Sequence, residues 1–146
     1  MNKSLPLALV AAAALLGGCV GHHMHHGGGP GGPMGPRGEA MHVNPLVSVK
    51  GGVVSVSPDP LVFLKGEKDV RITWRLGAQG LSFPENGIVI EGPKQDEIVD
   101  CKPGEGGRDF SCLNRHSRPG TYKYTIRVLQ DGKALKPLDP NIMNLD

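Results

Sequence analysis

Two stretches of this chain alternate strictly between apolar and polar residues: Val70-Arg-Ile-Thr-Trp-Arg-Leu76 and Thr121-Tyr-Lys-Tyr-Thr-Ile-Arg-Val128. A period of two is the repeat of a strand with one buried and one wet face, and no helix can use it. It sends Val70, Ile72, Trp74 and Leu76 inward in the first stretch, and Tyr122, Tyr124, Ile126 and Val128 in the second. Shorter runs extend the pattern. Leu46–Lys50 and Val53–Ser57 flank the turn Gly51-Gly52, and Leu61–Leu64 and Gly87–Glu91 read as strands. Asp131-Gly132 is a hairpin signal. Gly77–Asn86 and Asn114–Gly120 read as loops, Lys133–Leu138 as a last strand or arm, and Asp139–Asp146 as a tail. No stretch after Cys19 carries a helical period. With aromatics at only 4%, the core must rest on Val, Ile and Leu. The expectation is an all-β fold, a single antiparallel β-sandwich of six to eight strands over residues 45–146. Arg71, Arg75, Lys123 and Arg127 point outward. If their strands are neighbours, they form one basic face suited to lipid headgroups, phosphorylated sugars or an acidic partner.

The start of the chain is organised differently. Lys3 precedes an apolar run of twelve, Leu5–Leu16. A membrane span needs about 20 apolar residues, so this run reads as a signal peptide. It ends in Leu16-Gly17-Gly18-Cys19, which resembles the lipobox of bacterial lipoproteins. That resemblance implies a signal peptide over 1–18 and lipid, palmitate included, on Cys19. It implies a protein in the cell envelope, membrane-anchored and facing the periplasm. Val20 stands where an inner-membrane retention Asp would be, which favours the outer membrane. Residues 19–44 then form a His/Gly/Pro-rich tether. Its Gly/Pro run has no apolar periodicity, and a flexible chain of that length reaches roughly 25–30 Å. With Cys19 acylated, Cys101 and Cys112 remain as one pair for an oxidising compartment. A disulfide closing so short a loop contributes roughly 3 kcal/mol. The other reading, a zinc or thiol site with His116, fits no zinc-knuckle spacing, and His116 then falls in an exposed loop.

Two segments of the domain resemble cupredoxins, the blue-copper sandwich family. Phe83-Pro84-Glu85-Asn86, leading into Gly87-Ile88-Val89-Ile90, is similar to the F-P-H-N loop and its strand; Pro119-Gly120-Thr121-Tyr122-Lys123-Tyr124 is similar to the strand leading to the copper cysteine. The resemblance implies a cupredoxin-like sandwich without a type 1 copper site. Glu85 stands where the first His would be, Ile126 where the Cys would be, and no His follows at the family's spacing. Glu85 remains a binding candidate. An immunoglobulin-like sandwich accounts for the same strand pattern.

The sharpest chemical cluster is His22-His23-Met24-His25-His26, with Met34, Met41 and His42 nearby. Four imidazoles and a thioether can chelate copper, nickel or zinc. A net charge of +2 is too small for a nucleic-acid partner. No nucleophile elbow, phosphate loop or H-E-x-x-H motif is present. The chain is therefore expected to be a non-enzymatic envelope lipoprotein that binds or assembles with an envelope protein or polymer. The alternative is periplasmic metal handling by the HHMHH tract; no other cofactor is expected.

Overall fold

The alternation seen in the sequence becomes strands throughout. The computed structural model describes residues 41–92 and 96–146, and in these the elements are strands and one short 3-10 turn at Glu105–Gly107. In chain order they are β1 (His42–Val43), β2 (Leu46–Lys50), β3 (Val53–Ser57), β4 (Leu61–Phe63), β5 (Val70–Leu76), β6 (Leu81–Ser82) and β7 (Ile88–Ile90). There follow β8 (Ile98–Pro103), β9 (Asp109–Asn114), β10 (Gly120–Ile126), β11 (Leu129–Gln130), β12 (Lys133–Ala134) and β13 (Asn141–Asn144). The domain is all-β.

The first sheet has the order β3-β2-β5-β9-β8, with β1 also on β5. β1 and β2 lie in succession along the same edge of β5, both parallel to it. Between them Pro45, which has no N–H of its own, accepts the Arg75 amide at 2.9 Å through its carbonyl. The first pairing therefore begins at His42, inside the stretch that the sequence reads as tether. The second sheet has the order β4-β13-β10-β7. A smaller one, β12-β11-β6, continues it: the Arg127 amide donates to Gly87 O at 2.7 Å past the end of β10, the Leu135 amide donates to Val128 O at 3.0 Å, and Leu138 bridges to Ile126. Most pairs are antiparallel; besides the two on β5, β4 and β13 are parallel.

Turn chemistry sets the hairpins. Gly51 and Gly52 have φ of +58° and +77° between β2 and β3, the mirror-image turn that matches strand twist. Asp131 and Gly132 do the same between β11 and β12. The hairpin of β8 and β9 carries a bulge: Val99 faces Leu113 and Lys102 faces Ser111, which leaves Asp100 and Cys101 opposite Cys112. Across it Cys101 and Cys112 form the expected disulfide, with Cα atoms 4.1 Å apart.

The core lies between the layers. Val70, Ile72, Trp74 and Leu76 are all buried, as are Tyr124, Ile126 and Val128, so parity on both long strands is as expected. Tyr122 is half-buried against the cluster. Two polar pairs cross from sheet to sheet. Trp74 Nε1 donates to Tyr124 Oη at 3.2 Å, with ring centroids 5.3 Å apart. Burial pushes the Tyr124 phenol up to about 12. Asn114 and Asn144 exchange amide hydrogen bonds of 2.8 and 3.1 Å, fully shielded from water. Asn144 belongs to β13, in the stretch read from the sequence as a tail. That stretch is instead an interior strand, because Ile142 and Asn144 alternate inward and both its edges are paired.

Each buried amide satisfies the other, so truncating one strands its partner. Asn114→Ala is expected to cost about 1–3 kcal/mol in urea unfolding. Asn114→Ala with Asn144→Ala should cost less than the two single changes added together, by roughly 1 kcal/mol, as the signature of a coupled pair.

Candidate functional site

The residues singled out in the sequence scatter. Cys19, His22, His23, Met24, His25, His26 and Met34 lie outside the described residues. Met41 and His42 are exposed where the chain enters β1. Glu85 is exposed in the turn closed by the Gly87 amide on Pro84 O at 2.8 Å. Ile126 is buried core. Among the described residues, no group of three or more His, Cys, Asp or Glu could hold a metal ion.

Two expectations are corrected. His116 is not an exposed loop residue: it is buried, with Nδ1 2.9 Å from Glu67 O and Nε2 3.0 Å from Leu145 O. Its ring bridges the β4–β5 loop to the residue after β13. The four outward cations also do not share a face. Arg71 and Arg75 are on β5 in the first sheet, whereas Lys123 is on β10 and Arg127 follows it in the second. β5 and β10 meet through the core, at Trp74 and Tyr124, so their outward residues point in opposite directions. Lys123 is paired with Glu91 at 3.6 Å and Asp139 at 3.8 Å, and Arg127 donates to Asn86 O at 3.3 Å.

A buried carboxylate has no counterpart in the sequence reading. Glu97 is 1% exposed and holds the β9–β10 loop. Its oxygens accept the Ser117 amide at 2.8 Å and the Ser117 hydroxyl, and Arg118 Nε lies at 3.4 Å. Its own carbonyl accepts the Arg115 amide at 2.7 Å. Burial alone would push the Glu97 carboxyl up. The Ser117 hydrogen bonds and the Arg118 charge outweigh it and hold the group below the usual carboxylate range. Structural donors thus engage both oxygens, and the carboxylate acts as a loop clasp. Nothing around Glu97 in the sequence marks this, since its partners lie 20 residues on.

The outer face of the second sheet carries an apolar patch. Met143 faces Val62 in register, and the Leu145 amide bonds Phe63 O at 2.9 Å, which brings Leu145 beside Leu64. Val62, Leu64 and Leu145 are 47%, 60% and 38% exposed, and Met143 is half-buried among them. Among the described residues β4 pairs with β13 on one side and with no strand on the other. A side chain pattern of this kind, apolar and contiguous beside a free strand edge, can add a strand or a hydrophobic segment from elsewhere. An open cavity of about 360 Å³ lies where the β2–β3 turn faces the chain before β13, with Val53, Val54, Pro137 and Leu138 in its walls.

Glu97 gives the domain an acid-sensitive clasp. A depressed folded pKa adds stability above the unfolded value of 4.5, and that stability is lost as pH falls through the folded value. The thermal midpoint of the protein should therefore drop below pH 4.5, and Glu97→Gln should flatten that part of the profile while lowering the midpoint at pH 7.

No family model matches this chain, and comparison with curated proteins finds no significant match.

Proposed function

We propose that this chain is a lipid-anchored envelope lipoprotein whose β-sandwich is a non-enzymatic binding or assembly module. The address rests on Leu16-Gly17-Gly18-Cys19 behind a basic, apolar start. The joining of Cys101 and Cys112 supports it, since such a bond persists in an oxidising compartment. A periplasm-facing protein on the outer membrane is the reading that Val20 favours. The sandwich is read as cupredoxin-like without type 1 copper ligands, on the Glu85 loop and the Ile126 strand.

The observation that carries the binding role is the patch of Val62, Leu64, Met143 and Leu145 beside the edge of β4 that pairs with no strand among the described residues. A folded domain with a small core gains stability by burying such side chains, and these stay in water. A photo-crosslinking residue at position 62 in the native cell is expected to give one discrete adduct with an envelope protein or polymer. The adduct should vanish with Leu64→Glu and Met143→Glu, and a control residue at Lys133 should give none. No adduct at position 62, in protein shown to be folded and acylated, would remove the assembly role.

A second reading is favoured by His22-His23-Met24-His25-His26, whose donors suit copper, nickel or zinc. Titration of the full chain with copper or nickel should then show binding tighter than micromolar. The change of His22, His23, His25 and His26 to Ala should abolish it. Binding that survives that change, or is weaker than micromolar, would rule out metal handling by the tract.

A further inference from the structure

The cations of the domain differ in what their side chains meet, on strands and on the loops that flank β9 alike. Arg108, Arg115, Arg118 and Arg127 each donate to a carbonyl or carboxylate, and Lys123 has two carboxylates within 4 Å. On the outer face of the first sheet, Lys50, Arg71, Arg75 and Lys102 have no ion pair or side-chain hydrogen bond among the described residues. Register fixes their positions. His42, Arg71, Leu113 and Val99 form one row across the sheet, Thr73, Ser111 and Lys102 the next, and Leu46, Arg75 and Asp109 the third. Lys50 stands beyond them at the β2–β3 turn. Acids beside these cations include Asp109, whose carboxylate leans over Gly104, Asp100 in the bulge at the far edge, and Asp69, exposed one residue before β5. Leu46 and Met41 add exposed apolar side chains beside the cations.

We infer that this face docks on an anionic phospholipid surface, the arginines and lysines meeting headgroup phosphates. The inference rests on the lipoprotein reading and names the second surface that reading requires. Charge complementarity is the first argument. The second is chain length. Met41 is 41 − 19 = 22 residues from Cys19, a span of at most about 75 Å fully extended. The chain then enters the domain on β1, in this same sheet. An anchor there keeps the face at high effective concentration over the bilayer, so weak contacts suffice. Arg gives bidentate phosphate contacts, and each cation near an anionic surface is worth roughly a fivefold change in partitioning.

Trp74 is the sole tryptophan, buried in β5 beneath Arg71 and Arg75, and reports the approach of this sheet without labelling. The full chain, as isolated from its native cell, is reconstituted in vesicles containing a dansyl-headgroup lipid. One set is phosphatidylcholine alone; the other includes phosphatidylglycerol. Energy transfer from Trp74 should rise at least twofold with phosphatidylglycerol. It should fall to the neutral-vesicle level with added salt and in the Arg71→Glu, Arg75→Glu variant, whose Trp74 emission before reconstitution shows that it is folded. The Lys123→Glu variant, changed on the opposite face, should keep the rise. Transfer that is equal on the two vesicles, or unchanged by the reversal at Arg71 and Arg75, would overturn the inference. Flotation with the neutral vesicles scores the anchor separately. If the chain does not float there, the lipoprotein reading fails, and sedimentation with anionic vesicles at low salt still decides the face: binding lost in the Arg71→Glu, Arg75→Glu variant supports it, and no binding overturns it.

Discussion

The second sheet depends on a strand contributed by residues 141–144. β13 lies between β4 and β10, so neither the β4 pairing nor half of the β10 ladder exists until that segment is in place. Four polar contacts hold it. The Asn114–Asn144 pair joins it to the first sheet, the His116 ring bonds Leu145 O, the Leu145 amide bonds Phe63 O, and the Tyr124 amide bonds Pro140 O at 3.1 Å. Inside a low-dielectric core a matched amide pair is strong and an unmatched one is expensive, so this device selects a single seating for the strand. Its contacts span 30 residues for Asn114 and Asn144, and 81 for β4 and β13 (142 − 61). Such pairing is paid for in loop entropy before it returns any stability, which places closure of the second sheet late in folding.

The elements legible in the sequence are those whose local signal agrees with their environment. β5 and β10 are long, alternate without exception, and bury every residue of the apolar parity except the half-buried Tyr122. The β2–β3 and β11–β12 hairpins carry their own turn residues. β13 was hidden because Asn-Ile-Met-Asn has the parity of a strand and the composition of a tail. Its inward positions include an Asn, which no hydrophobic count would score. The same blindness applied to Glu97 and His116. Their burial comes from partners at distant positions, Ser117 for one and Glu67 and Leu145 for the other. Polar residues satisfied by tertiary neighbours look, from sequence, like any polar loop.

The separation of the four outward cations has a related cause. Alternation says which side of its own strand a residue occupies; it does not say in which layer that strand lies. β5 and β10 have the same pattern and meet face to face, so equal parity puts Arg71 and Lys123 on opposite surfaces of the domain. Only sheet order resolves this, and sheet order is set by crossovers such as the passage from β3 to β4 through Ser57-Pro58 and Asp59-Pro60. What would be one basic face if the strands were neighbours is instead two surfaces with unlike chemistry: one of unpaired cations, one where Lys123 is neutralised beside Thr125, whose hydroxyl oxygen lies 2.9 Å from a Glu91 and an Asp139 carboxylate oxygen, with one proton to donate between them.

That division is compatible with a marginal fold because it costs the fold little. Like charges directly opposite one another across a ladder are destabilising. Here Arg71 stands opposite His42 and Leu113, and Arg75 opposite Leu46 and Asp109. Along β5 the two arginines are four residues apart, about 13 Å at strand rise, beyond a Debye length of about 8 Å at physiological salt. Mutual repulsion is thus screened, and Thr73 between them adds no charge. Pairing with exposed carboxylates would have added little stability either, since surface ion pairs are worth about 0–1 kcal/mol. Folding therefore neither demands nor penalises the unpaired state of these arginines. A planar partner carrying many negative charges, by contrast, meets all of them at once, and it gains from each without the fold having to surrender a pair.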